Sequence, residues 1–60
     1  MNLTIRELSA LQEQLRQEKL LIKKYRIYAN HTQNGELKAK FNTIADKHQQ
    51  HFNTMMGYLQ

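Results

Sequence analysis

Three side chains could do metal or proton chemistry together in this sequence: Glu18, His48 and His51. Carboxylates and neutral imidazoles are ligands for divalent cations, and when buried they hydrogen-bond to one another. His48 and His51 are three residues apart, which places both on one face of a helix. Glu18 lies in the other half of the chain. A shared site therefore requires two helices and a turn that returns the second along the first.

The elements to do this are legible as a repeated pattern. The first half reads Leu8, Leu11, Leu15, Glu18, Ile22, Tyr25, Ala29, and the second Leu37, Phe41, Ile44, His48, His51, Met55, Tyr58. Alternating three- and four-residue steps keep side chains on one stripe of an α-helix, the stripe that packs on a neighbour. Both stripes are apolar except near their middles, where the three polar residues fall. Leu21 and Tyr28 in the first half, and Ala45, Phe52 and Leu59 in the second, widen the stripes. That width suits a four-helix bundle better than a two-stranded coiled coil.

Thr4 and Glu7 have the spacing of a capping box, with Leu3 and Leu8 as a hydrophobic staple. Nothing interrupts the pattern until Asn30-His31-Thr32-Gln33-Asn34-Gly35, the only turn-rich stretch, where Asn34 can cap a second helix. The expected fold is one all-α domain over 1–60. Helix 1 covers about 5–29, the turn about 30–34 and helix 2 about 35–59. So short a turn makes the helices antiparallel neighbours, with facing residues whose numbers add to about 66. In that register Glu18 meets His48, Tyr25 meets Phe41, and Ile22 meets Ile44.

Sixty residues with no Cys and no Pro form a marginal unit without a covalent staple. Two helices make an open layer, so a homodimer closing into a four-helix bundle is the expected remedy. Residues 19–47 hold seven cationic side chains against two acidic ones, a local excess of +5 in a chain of net charge +4. This end could attract phosphate, nucleic acid or an acidic protein surface. No nucleic-acid motif accompanies it, and a solvated helical face is the simpler reading. There is no apolar run of membrane-span length, nor the charged and apolar regions of a secretory signal. Cytoplasmic synthesis without a signal peptide is therefore expected. No catalytic triad, Cys-His pair, phosphate loop or zinc-finger spacing is present, so an enzyme is not expected.

Two readings of the polar layer stand side by side. In one, Glu18 accepts a hydrogen bond from His48 or His51 and fixes register at some cost in stability. In the other, Glu18, His48 and His51 bind zinc, iron or manganese at the dimer core. Di-metal helical bundles use a Glu from each of two helices and Glu-x-x-His from the other two. Here that motif reads His48-x-x-His51, so a carboxylate is missing and an imidazole-tolerant ion such as zinc is favoured. The tyrosines and Met55 and Met56 read as packing residues.

The stretches 18–25, Tyr28-Ala29, Glu36-Leu37-Lys38 and 47–53 resemble the small ferritin-like proteins of spore-forming bacteria grouped with Coat F-type spore coat proteins. The likeness runs from about Glu7 to Leu59. It rests on a helix 1 Glu at Glu18 and the His51-Phe52 pair, and departs at His48, where metal-binding relatives commonly have Glu. The resemblance implies a ferritin-like half-bundle, a place in the spore coat and other coat proteins as partners. The expected function is a non-enzymatic structural or assembly role with no obligatory cofactor. A ferritin-like metal-binding module and a basic binder of nucleic acid or acidic surfaces are the alternatives.

Overall fold

A computed structural model describes residues 2–60. It is an all-helical hairpin of α1 (Ile5–His31) and α2 (Gly35–Met56), closed by a 3-10 turn at Gly57–Leu59. The two helices pack against each other along their length.

The start of α1 is built as its residue types require. The Thr4 hydroxyl accepts the Glu7 N–H at 3.0 Å, and the Glu7 carboxylate accepts the Thr4 N–H at 3.0 Å. Two of the unpaired amides of the first turn are thereby satisfied. α1 continues two residues past the boundary read from sequence, because Asn30 and His31 weaken a helix without breaking it. It ends where Thr32 turns extended, its N–H still bonded to the Tyr28 carbonyl. The Thr32 hydroxyl accepts the Asn34 N–H, and the Asn34 side chain accepts the Leu37 N–H at 3.0 Å, which starts α2. The connection thus shrinks to residues 32–34, and neither glycine has a positive φ. α2 tightens after Met56, so the last expected turn of helix 2 is 3-10 in form.

The interface is thin. Ala29 and Ala45 are fully covered and let the two backbones approach, while Leu15 and Glu18 are the other buried residues among those described. Leu11, Ile22, Tyr25, Phe41, Ile44, His48 and Met55 are half-buried. The expected stripe is buried only in part: Leu8, Leu37, His51 and Tyr58 are exposed. The physical reason is the shape. The Cα envelope measures 46 × 14 × 11 Å, a single layer of two helices, and one layer cannot enclose a stripe wider than its own contact line.

The seam has two unlike flanks. Tyr28 and Arg26 are two residues apart, about 200° round the helix, so they leave the seam on opposite sides. On α2, His51 and Asn42 are separated by about 180° in the same way. On the first flank Tyr28 stands edge-on to Tyr25, with ring centroids 5.7 Å apart, and packs on Phe41 at 5.5 Å. On the second, Arg26 donates to the Asn42 side chain at 2.8 Å and to Asp46 at 2.6 Å.

Candidate functional site

The hairpin brings the three sequence-marked residues into one cluster. Glu18 projects from the middle of α1 and is 5% exposed, the only buried charged residue among those described. Burying a carboxylate is costly unless partners replace its water, and here both oxygens have them. The His48 imidazole faces Oε2 with Nδ1 at 2.8 Å, and Gln14, one turn before Glu18, donates to Oε1 at 3.4 Å. His51 Nδ1 stands 3.6 Å from the same Oε2, beyond hydrogen-bond length. No buried side-chain nitrogen or oxygen among the described residues lacks a partner.

Aromatic packing sets the imidazole planes. Tyr25 stacks on His48 with ring planes 13° apart and centroids 6.2 Å apart, and His51 meets His48 edge-on at 5.7 Å. Three potential ligand atoms, one each from Glu18, His48 and His51, lie within 4.8 Å of one another, so the cluster could hold a metal ion. Exposure grades across it. Glu18 is buried, the His48 side chain is 22% exposed and the His51 side chain 60%, so the cluster is closed toward α1 and open at His51.

The remaining sequence candidates fall elsewhere. His31 is exposed at the end of α1, outside the cluster. Tyr25 and Tyr28 pack against rings, and Tyr58 is exposed. The excess of positive charge includes Lys19 and Lys23, which line a shallow, open depression with Ile22, Gln49 and Phe52. Two supporting contacts were not foreseen. Gln14 has the i,i+4 spacing to Glu18 that could have signalled it. The Arg26–Asn42–Asp46 contacts had no local signal, since they depend on which turn of α2 faces Arg26.

No family model, no curated protein and no solved structure matches this chain. Among the described residues no helix is long and apolar enough to cross a membrane.

Proposed function

We propose that this chain is a non-enzymatic structural module, a helical hairpin that pairs with a second copy to form a four-helix bundle and serves as a unit of a larger protein assembly. The observation that carries the reading is the open flank. Leu37, Ile44 and His51 on α2 and Tyr58 in the 3-10 turn that follows it recur every seven residues, and on α1 Leu21 and Tyr28 do the same. This is the period by which helices pair along a common stripe. Leu37, Tyr28 and Tyr58 are 44%, 43% and 55% exposed, although the two helices have already packed on each other.

A second copy is the occupant that chemistry favours. The ladder holds no carboxylate, lysine or arginine, so two chains of net charge +4 can meet there with least repulsion. Lys24, whose ammonium lies 5.6 Å from the Tyr25 ring centre, borders the flank as charged residues border the apolar centre of an interface. In this reading Glu18, His48 and His51 form the polar layer that sets register, and zinc, iron or manganese are the ions it would admit. The resemblance to ferritin-like spore coat proteins supplies the setting: a half-bundle completed by pairing, with the spore coat as the assembly and other coat proteins as partners.

The test is mass in solution. Sedimentation equilibrium at micromolar concentration should give about twice the chain mass of 7.2 kDa. Ile44→Lys, which charges the centre of the ladder, should reduce it to the mass of one chain. A folded wild-type monomer would refute the reading.

A further inference from the structure

We propose that Glu18, His48 and His51 form a binding site for a single divalent first-row cation, zinc above all, within one hairpin. This goes beyond the assembly reading and does not depend on it, since one chain supplies all three ligands.

A register-setting hydrogen bond accounts for one histidine. His48 Nδ1 already meets Oε2 of Glu18 at 2.8 Å. It does not account for His51, whose side chain is 60% exposed and could satisfy its nitrogens with water. Yet His51 also directs Nδ1 at that oxygen, from 3.6 Å. Two imidazole nitrogens converging on one carboxylate oxygen are the kind of donor arrangement that a divalent cation takes.

The distances agree with this. Ligands about 2.0–2.1 Å from a tetrahedral zinc are about 3.3 Å from one another. The two separations at Oε2 bracket that value, so small side-chain rotations would seat the ion without moving a helix. Tyr25 stacks on His48 and holds its ring plane, and Gln14 donates to the other carboxylate oxygen, as outer partners of metal ligands do. In the single hairpin the cluster opens at His51, which leaves the fourth position to water.

The donor set selects the ion. Two imidazoles with one carboxylate suit zinc or cobalt, whereas magnesium and calcium require mostly oxygen ligands. One carboxylate also limits the site to one ion, because paired metals are held by several bridging carboxylates.

The experiment uses the full chain stripped with chelator and then dialysed free of it. Zinc is titrated by calorimetry, and cobalt is followed by its visible absorption, which is intense only in tetrahedral coordination. One ion per chain is expected. Glu18→Gln keeps an oxygen that can accept from His48, and His51→Ala removes an exposed side chain, so both variants should retain the helical circular dichroism of the wild type. Each should weaken zinc at least about tenfold, while His31→Ala leaves affinity unchanged. The proposal is overturned by wild-type protein that binds no zinc, by one ion per two chains, or by Glu18→Gln and His51→Ala variants that bind as tightly as the wild type.

Discussion

The two flanks of the seam hold the same pair of helices together by different means. On one, Tyr25, Tyr28 and Phe41 pack ring against ring, and Tyr25 carries the packing on to His48. On the other, Arg26 bridges to Asn42 and Asp46 across the groove. The Arg26 and Asp46 side chains are 40% and 64% exposed, and an ion pair in that much water contributes little. The aromatic flank is stronger through the apolar area it removes from water, and it still leaves rings and aliphatic groups uncovered. The lesson is one of division of labour. The polar flank faces solvent and aligns the helices, while the aromatic flank supplies cohesion and retains a surface for a further partner.

The sharpest way to break this contrast is Tyr25→Ala. It removes the ring that touches Tyr28, Phe41 and His48 and should cost about 3 kcal/mol, in the range of large aromatic truncations at packed sites. Urea denaturation measures the loss. A change below about 1 kcal/mol would mean that the aromatic flank does not hold the hairpin. Arg26→Ala should come next, at up to about 1 kcal/mol, with the oligomeric mass unchanged. If it destabilised the protein as much as Tyr25→Ala, the two flanks would be equivalent and the contrast would fail.

The smallest effect belongs to neither flank and gives a baseline for both. Hydrogen bonds from the Thr4 backbone N–H and then its hydroxyl hold the Glu7 carboxyl below its ordinary value of 4.5. A lowered carboxylate pKa contributes stability that is fully present above the unfolded value and is lost as pH falls through the folded one. The helicity advantage of wild type over Glu7→Gln, read by circular dichroism, should therefore be present at neutral pH and shrink once the solution is more acidic than about pH 4.5. A difference that stays constant into strong acid would contradict the assignment.

Much of the hairpin is legible in the chain because the signals are local. The Thr4–Glu7 box and the Asn34 cap involve contacts three residues apart, and the stripe follows from helical period alone. The pairing of Glu18 with His48 was also readable, since a short turn and an apolar match leave few registers. The end of α1 was less so. Turn-forming residue types set only a weak preference, and two of them continue the helix to His31. Burial of the stripe was overestimated at Leu8, Leu37, His51 and Tyr58, because period says which face a residue occupies but not whether anything stands opposite.

The order of residues by itself determined two capped helices, a tight turn between them, and a carboxylate and two imidazoles placed to meet midway. The caps and the turn follow from contacts within a few residues of each other, and the meeting of Glu18 with His48, thirty residues apart, follows from helical period and the shortness of the turn. Only the packed hairpin decided that both imidazoles turn the same nitrogen toward one oxygen, that Tyr25 holds the His48 ring, and that one flank is left apolar and open. Those features depend on the rotation of each helix about its own axis and on the depth at which Ala29 and Ala45 let the backbones approach. Such rigid-body variables are set by the whole interface, and no short stretch of chain encodes them.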